Sequence, residues 1–260
     1  MSLSPEVSIF DNPDALFRAA AENFAKLAHA AVLAKGSFTV ALSGGSTPRG
    51  LYSLLAQQYL SSIQWQKIYF FWGDERHVPP DHPDSNYRMA YEALLSKVPT
   101  DRAKVFRVHS ENSDANRAAI DYEQTLSTAF GLQKLEVPRF DLILLGLGPD
   151  GHTASLFPHS AALRERSRLV VANWVEKFNT DRITFTLPVL NHAANVHFLV
   201  SGKDKAAAVE SVFDGNSEAS DVPAKLVEPR HGRLVWLLNE DAAVRIPQRM
   251  AAAEVKSNQR

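Results

Sequence analysis

Short apolar segments alternate with longer amphipathic segments along the whole chain. The apolar segments predict strands near residues 37–42, 68–72, 104–109, 140–146, 169–175, 182–187, 195–200 and 233–239. The amphipathic segments predict helices over residues 12–35, 47–60, 85–98, 114–131 and 203–213. Apolar strands separated by helices are typical of a parallel sheet covered on both faces. We therefore expect an α/β fold, a single doubly wound domain over residues 1–260 with a mostly parallel sheet and helices on both faces.

Composition and charge narrow the range of partners. The 260 residues carry a formal net charge of −1, so the chain lacks the basic field of nucleic-acid-binding proteins and no nucleic-acid partner is expected. An anionic ligand must then be held by a local cluster of donors and cations. Cysteine is absent, which excludes disulfides, thiolate metal ligands and a cysteine nucleophile.

The sequence also lacks signals for export or membrane insertion. Its first residues, MSLSPEVSIFDNPD, have neither the basic stretch nor the apolar core of a signal peptide. No apolar run approaches the roughly 18 residues that a membrane-spanning helix needs. We expect a cytoplasmic protein with no membrane partner.

A glycine run follows the most apolar of the predicted strands. Gly146, Gly148 and Gly151 have the spacing G-x-G-x-x-G, which is the fingerprint of a dinucleotide-binding turn. Such a turn opens a crossover helix of about 10–12 residues or more, and Pro158 would break that helix early. We therefore expect no cofactor, and we interpret the glycines as a close approach of the backbone to its neighbours, with His152 directly behind them.

Ligands of doubly wound sheets bind beyond the carboxyl ends of the strands, so the residues that follow each strand are the candidates for chemistry. After the first predicted strand the sequence reads SGGSTPRG, with a helix start at which Thr47 is the expected N-cap. Backbone N–H groups and the positive helix end would point at one anion. The alternative is an ordinary glycine turn before a capped helix. We favour a phosphate-binding loop made by Ser43, Gly44, Gly45, Ser46 and Thr47.

Charged residues follow two further strands. Asp74, Glu75 and Arg76 come directly after the second predicted strand, where solvated loop charges are the alternative interpretation. Asp150 and His152 follow the glycine-rich strand. Histidine is the natural acid–base group near neutral pH, and a carboxylate nearby can orient its ring. A lone histidine is more often structural, but its place beside Asp150 at a strand end favours catalysis.

Two cations complete the candidate set. Arg182 begins a predicted strand, and Lys203 follows Ser201-Gly202 at the end of another, where it could reach an anion at the same sheet edge. Either cation could instead be an ordinary surface charge. The other histidines stand singly without metal-ligand spacing, so we expect no metal site. No G-x-S-x-G nucleophile motif occurs, so the residues indicate proton transfer or water attack on a small phosphorylated molecule.

Four segments together resemble the 6-phosphogluconolactonase family: ALSGGSTPRGLY, FFWGDERHVP with DSNYRMA, LLGLGPDGHTASLFP and FLVSGKDKA. The resemblance spans residues 39 to about 208, and the segments are specific jointly although each is weak alone. It implies a carboxylic ester hydrolase that converts 6-phospho-D-glucono-1,5-lactone to 6-phospho-D-gluconate in the pentose phosphate pathway. The implied partner is a small phosphorylated sugar lactone, without a cofactor or metal, and we expect a monomer.

The resemblance assigns roles to the candidate residues. It implies that His152 is the general base and that Asp150 is its neighbour or orienter. It implies that the loop of residues 43–47 holds the phosphate together with Lys203 and Arg182.

Two further residues have roles that the resemblance leaves open. Asp74 matches a proton-transferring aspartate of the related glucosamine-6-phosphate deaminases, but a lactonase has no such proton to move. Arg76 would bind either the phosphate or the developing oxyanion.

Two other functions remain as alternatives. The related deaminases carry a Glu a few residues after their histidine, whereas His152 is followed by TASLFP, which has no carboxylate. A non-catalytic sugar-phosphate sensor would be expected to carry an added DNA-binding module, for which this chain has no spare residues, and it would not need His152. Hydrolysis of the lactone is the favoured function.

Overall fold

The computed structural model describes residues 4–214 and 216–246. The strands are β1 (Glu6–Phe10), β2 (Phe38–Leu42), β3 (Ile68–Trp72), β4 (Asp74–Arg76), β5 (Leu142–Leu145), β6 (Val170–Val175), β7 (Thr180–Phe185), β8 (Asn195–Val200) and β9 (Arg233–Asn239). The helices are α1 (Pro13–Lys35), α2 (Ser46–Gln58), α3 (Asn86–Ala90), α4 (Ala115–Phe130), α5 (Leu187–Leu190), α6 (Ala206–Phe213) and α7 (Glu240–Ala243). No helix in the described residues is both long and apolar enough to cross a lipid bilayer.

Six of the described strands form one parallel sheet, in the order β1-β9-β8-β5-β2-β3. β2 and β5 are neighbours in the middle of this sheet. The strand after β2 lies on one side of them, whereas the strands that follow β5 in the sheet lie on the other. The loops after β2 and β5 therefore diverge and open a crevice at their carboxyl ends. The expected doubly wound, mostly parallel α/β fold is confirmed.

Helices cover both faces of this sheet. Phe38 of β2 packs edge-to-face on Phe24 of α1, with the ring centroids 5.4 Å apart. Phe71 of β3 packs on Phe130 of α4, with the ring centroids 5.5 Å apart. The register pairs Phe71 with Ala41, an odd number of positions beyond Phe38 on β2. Since successive side chains of a strand point to opposite faces, α1 and α4 cover opposite faces of the sheet.

The bounds of α1 follow from local sequence signals. The side chain of Asn12 accepts a hydrogen bond from the N–H of Ala15 at 2.9 Å, and Pro13 occupies the first turn. Gly36 ends the helix at a φ of 81°, and its N–H donates to the carbonyl of Val32 at 2.9 Å. Both the start and the end of this helix confirm the prediction.

Three described strands form a separate antiparallel sheet, in the order β4-β7-β6. β6 and β7 are joined by a 3-10 turn, Glu176–Phe178, and by Asn179. A connection this short permits only antiparallel pairing. The pairing of β4 with β7 places Arg76 opposite Arg182. The apolar pattern predicts β6 and β7 without showing that they form a sheet of their own.

The predicted strand at residues 104–109 is wrong. Only Val105 bridges to the edge strand, opposite Phe70, and the N–H of Phe106 donates to the Phe70 carbonyl at 2.8 Å. The pairing ends there, and the residues that follow contact loops instead: the side chain of Arg107 pairs with the carboxylate of Glu111, with N–O distances of 2.8 and 2.7 Å, and the hydroxyl of Ser110 donates to the carbonyl of Val78 at 2.8 Å. That ion pair belongs to a turn that leads the chain away from the sheet.

Two smaller differences concern the amino-terminal half. Thr47 is not the N-cap of α2, because the helix begins at Ser46 and Gly45 is the capping residue, with a φ of 104°. Only glycine adopts that φ readily, so the glycine pair sets the helix start one residue earlier. β1 was not predicted; it is a short, half-buried strand that pairs with β9 at the edge of the sheet.

Candidate active site

A cleft opens at the carboxyl ends of β2 and β5, beside the small antiparallel sheet. Its volume of about 240 Å³ lies just below the roughly 300–1,000 Å³ of pockets for drug-sized ligands, so it suits a molecule the size of a monosaccharide phosphate. The predicted site residues that line the cleft are Ser43, Gly44, Gly45, Ser46, Thr47, Asp74, Arg76, His152 and Arg182.

The loop after β2 presents an open helix N-terminus to the cleft. The N-cap Gly45 offers no side chain, and the first turn of α2 from Ser46 contains no acidic residue. Gly44 packs so closely on Asn86 that a Cβ would collide with its amide group. The hydroxyl of Ser43 is buried and has no hydrogen-bond partner among the described residues. Free donors and the positive helix end therefore suit an anion.

His152 and Asp150 form a hydrogen-bonded pair in the loop after β5. Nδ1 of His152 contacts Oδ1 of Asp150. Burial acts to raise the pKa of Asp150, but the hydrogen bonds and charge of His152 outweigh it and hold that pKa at about 2. Asp150 is therefore ionised at neutral pH and accepts a hydrogen bond from Nδ1. This leaves Nε2 as the imidazole nitrogen that can take up a proton.

The glycine run makes room for this pair. A Cβ on Gly148 would collide with the imidazole of His152 and would lie 2.7 Å from the nearer carboxylate oxygen of Asp150. Gly151 has a φ of 76°, in the left-handed region that glycine adopts without strain. The sequence-level interpretation of the run as a close backbone approach matches this geometry.

The imidazole is also fixed by its neighbours. The ring of His152 lies against the ring of Phe157, with centroids 4.1 Å apart and an angle of 24° between the planes. The carbonyl of His152 accepts a hydrogen bond from the N–H of Gly148 at 2.8 Å. Thr153, the next residue, donates its hydroxyl to the carbonyl of Gly146 at 2.9 Å. Ring and backbone are thus held in one orientation, which suits a group that must meet a substrate atom.

Two arginines form a cationic pair on the small sheet. Arg76 of β4 and Arg182 of β7 are register partners, and the Nε atom of each is buried without a hydrogen-bond partner in the described residues. Nη1 of Arg76 donates to the carbonyl of Asp84 at 2.6 Å. Burial, and then the charge of Arg76, lower the pKa of Arg182. Adjacent guanidinium groups with unused donors favour an anionic group in the cleft.

Asp74 connects the small sheet to the loop that carries His152. Asp74 is buried, and its Oδ2 accepts a hydrogen bond from the hydroxyl of Ser155 at 2.7 Å. Its carbonyl accepts from the side-chain amide of Asn86 at 2.9 Å. The carboxylate also attracts Arg182 electrostatically and acts to raise its pKa. Asp74 therefore stabilises the arrangement around the cationic pair.

Comparison with known proteins identifies the family. The family described as glucosamine-6-phosphate isomerases/6-phosphogluconolactonase matches residues 11–236. The chain belongs to this family. It is 41% identical over 240 residues to the 6-phosphogluconolactonase of Synechocystis sp., covering 92% of this chain and 98% of that protein. It is 43% identical over 216 residues to the 6-phosphogluconolactonase of Nostoc sp., covering 83% and 88%.

Solved structures agree with this family membership. The 6-phosphogluconolactonase from Trypanosoma brucei superposes with a TM-score of 0.85 at 30% identity, covering 95% of this chain and 100% of that chain. A monomeric glucosamine-6-phosphate deaminase superposes with a TM-score of 0.77 at 22% identity, covering 92% and 99%. At that lower identity the likeness concerns the fold alone.

Two of the predicted site residues, Lys203 and Asp150, do not line the cleft. Lys203 is exposed at the start of a 3-10 turn and does not line the cleft, whereas Lys205 of the same turn does. The segment GKDK offers both lysines, and only the path of the turn shows which one faces inward. Asp150 does not line the cleft either; it lies behind His152 and contacts its ring.

Glu75 is a buried residue whose role the sequence did not reveal. Its carboxylate accepts hydrogen bonds from the N–H groups of Arg76, Asn86 and Tyr87 and from the hydroxyl of Ser85, at 2.7 to 3.1 Å. Burial raises its pKa, and the backbone donors act against that rise. Glu75 thus fixes the start of α3, which places Asn86 against Gly44 in the loop after β2. Nothing in the sequence DER distinguishes Glu75, which has a structural role, from Asp74 and Arg76, which line the cleft.

Proposed function

We propose that this member of the family is a 6-phosphogluconolactonase, which hydrolyses 6-phospho-D-glucono-1,5-lactone to 6-phospho-D-gluconate in the pentose phosphate pathway. The observation that carries the proposal is the His152–Asp150 pair in a cleft with a helix N-terminus open to an anion. Hydrolysis of a phosphorylated lactone needs a base for water and a phosphate site at one sugar's length from it. The relatives named 6-phosphogluconolactonase support the assignment.

In the first step, His152 acts as a general base. Its Nε2 takes a proton from a water molecule while the water oxygen forms a bond to the lactone carbonyl carbon. Asp150 accepts a hydrogen bond from Nδ1–H of His152. This bond holds the tautomer in which Nε2 is free to accept a proton, and the carboxylate stabilises the imidazolium that forms. A δ-lactone carbonyl is electrophilic enough for this direct attack, so the proposal needs no covalent intermediate.

In the second step, the tetrahedral intermediate collapses and the ring opens. The bond from the carbonyl carbon to the ring oxygen breaks, and the imidazolium of His152 returns its proton to the departing oxygen. Arg76 and Arg182 supply the charge that stabilises the oxyanion and then the product carboxylate, which forms when the new carboxylic acid releases its proton to solvent. Asp74 keeps these two cations in place and takes no proton itself.

The phosphate of the substrate binds at the loop of residues 43–47. Backbone N–H groups at the start of α2 and the hydroxyl of Ser43 are the donors, and Lys205, which lines the same cleft, supplies a charge. The loop and the two arginines line the same cleft, so the cleft offers donors both for the phosphate and for the carboxylate that hydrolysis yields.

Lys205→Ala is expected to raise KM about tenfold with little change in kcat. The charge-assisted contact to the phosphate is made in both the ground state and the transition state, so its loss weakens binding rather than chemistry. Lys203→Ala is the matched control, because it removes the same charge two positions away without lining the cleft. Steady-state kinetics on the phosphorylated lactone measure both. An unchanged KM for Lys205→Ala, or a higher one for Lys203→Ala, would reverse the assignment.

Deamination of glucosamine 6-phosphate is the alternative that the family description includes. Phe157 lies on the His152 ring, and no carboxylate follows His152 in that loop segment, so a ring-opening acid is missing there. The test compares acid release from 6-phosphogluconolactone with ammonia release from glucosamine 6-phosphate, after subtraction of spontaneous lactone hydrolysis. Acid release alone supports the proposal, and ammonia release without acid release refutes it.

Lactone hydrolysis is expected to continue after exhaustive chelation and without nicotinamide. No group of three or more His, Asp or Glu side chains within residues 4–214 and 216–246 is arranged to hold a metal ion. The measurement is the hydrolysis rate before and after treatment with a chelator, together with calorimetric titration of NAD. A rate that collapses and returns with one divalent ion, or saturable NAD binding, contradicts this prediction.

The monomeric state and the cytoplasmic location also remain predictions. Light scattering of the purified protein measures the first, and cell fractionation measures the second. Neither enters the mechanism above.

A further inference from the structure

The turn between β6 and β7 carries an aromatic residue beside the cleft. Phe178 closes the 3-10 turn of residues 176–178 and is 47% exposed. Asn179 follows in a left-handed conformation with a φ of 48° and leads the chain directly into β7. The rest of the Phe178 surface is covered by neighbouring residues.

Phe178 contacts Arg182, which we propose stabilises the oxyanion, and Phe157, which stacks on the proposed general base His152. The guanidinium carbon of Arg182 lies 5.1 Å from the centroid of the Phe178 ring, within cation–π range. The ring also meets Phe157 edge-to-face, with the centroids 6.1 Å apart and the planes at 73°. Phe157 in turn stacks on His152. One chain of ring contacts therefore links the cation to the general base.

Asp74 attracts Arg182 electrostatically and Asp150 hydrogen-bonds the His152 ring, so the Phe178 ring adds to restraints that are already present. The side chain of Arg182 makes no hydrogen bond or ion pair within the described residues, and its Nε atom is buried without a partner. Within the described residues, Phe157 has two aromatic neighbours, His152, on which it stacks, and Phe178, which it meets edge-to-face. Removal of the Phe178 ring would free the guanidinium to swing and would loosen the support behind the imidazole.

The hairpin itself does not depend on Phe178. Its strands are paired continuously from Val170 opposite Phe185 to Val175 opposite Thr180. Trp174, an aromatic residue on the same hairpin, is 55% exposed and makes no aromatic contact within the described residues. The two aromatic residues therefore differ in what they touch rather than in how far they are buried, which makes Trp174 a matched control.

We propose that Phe178 is a positioning residue for the reaction, because its ring holds Arg182 at the cleft and, through Phe157, fixes the plane of the His152 imidazole. The inference rests on the proposed lactonase function for its kinetic consequence. The positioning itself is a property of the free protein and can be observed without turnover.

The test compares four variants on the full chain. Phe178→Ala is expected to lower kcat/KM for the phosphorylated lactone by about 5- to 20-fold, since it removes two cation–π contacts, to Arg182 and Lys177, and the aromatic contact to Phe157. Trp174→Ala is expected to stay within about twofold of the wild type. Phe178→Tyr restores the ring and is expected to rescue the rate. Phe178→Leu keeps an apolar side chain without a π face, and its rate is expected to lie between those of the Ala and Tyr variants.

A readout that needs no activity separates this proposal from the lactonase assignment. NMR of the free protein follows the imidazole protons of His152 and the Nε–H of Arg182. Both signals are expected to shift or broaden in Phe178→Ala and to stay unchanged in Trp174→Ala. If these shifts occur while the wild type hydrolyses no lactone, the positioning role stands and the proposed function fails. Unchanged signals, or a kcat/KM in Phe178→Ala equal to that of Trp174→Ala, overturn the positioning role.

Discussion

Replacement of His152 by alanine is expected to lower kcat by about 10²–10⁴ while the fold and the affinity for 6-phosphogluconate remain nearly intact. The reason is that its Nε2 is the only proton acceptor in the proposed mechanism, whereas the residues that we propose to bind the phosphate lie at the start of a different element, α2. His152→Asn is expected to be almost as slow, because an amide of similar size cannot accept the water proton. The measurements are kcat, product affinity and thermal midpoint on the same preparations.

His29→Ala provides a control for loss of a histidine as such, since His29 lies exposed on α1 away from the cleft. It should retain full activity. If instead the His152 variants melt earlier but keep a near-normal kcat per folded molecule, His152 only packs the turn and the catalytic assignment is wrong.

The pH dependence of the wild-type enzyme also tests whether His152 is the general base. The pKa of Asp150 is held at about 2, so this carboxylate stays ionised across the usual assay range. Because only the neutral imidazole is a base, protonation of His152 should stop the reaction, so kcat/KM measured across pH should fall on the acid side without a contribution from Asp150.

Gly148→Ala is expected to reduce kcat by about 10², although it changes no chemical group of the site. A Cβ at this position would overlap the imidazole of His152 and crowd the carboxylate of Asp150, so the pair must move away from its present geometry. The backbone of Gly148 is outside the left-handed region, so strain in φ is not the cause.

Gly146→Ala is the matched control for this substitution. It belongs to the same glycine run, but a Cβ there would meet nothing within 4 Å. We therefore expect the kcat values of the two variants to differ more than their thermal midpoints. Equal rates for the two variants would show that the close packing of Gly148 on the pair has no catalytic meaning.

Local signals made much of this protein predictable from sequence. The helix α1 was predicted at both ends, because Asn12 and Gly36 act on their own backbone neighbours and need no tertiary contact. The parallel sheet followed from apolar strands separated by helices. The cleft followed from a general rule, since parallel strands bring the residues after their carboxyl ends to one edge. That rule correctly placed Ser43 to Thr47 and His152 in one cleft.

The pattern of residues did not predict which segments far apart in the chain contact each other. The segment at residues 104–109 is apolar enough for a strand, yet it makes one bridge to the edge strand, and the residues after it contact loops instead of the sheet. The pairing of Arg76 with Arg182 depends on a small sheet whose strands lie far apart in the chain. Apolar periodicity reports which side chains are buried, and it carries no information about which strand is the partner.

The sequence by itself determined the fold class, the family and the residue types of the site, because these depend on local periodicity and on motifs that stay together in the chain. Only the tertiary structure decided which groups meet. It brought Lys205 rather than Lys203 to the cleft, placed Glu75 as a buried cap and joined Phe178 to Arg182. These choices depend on the direction of a turn and the register of a strand, and a shift of one or two residues moves a side chain to another surface.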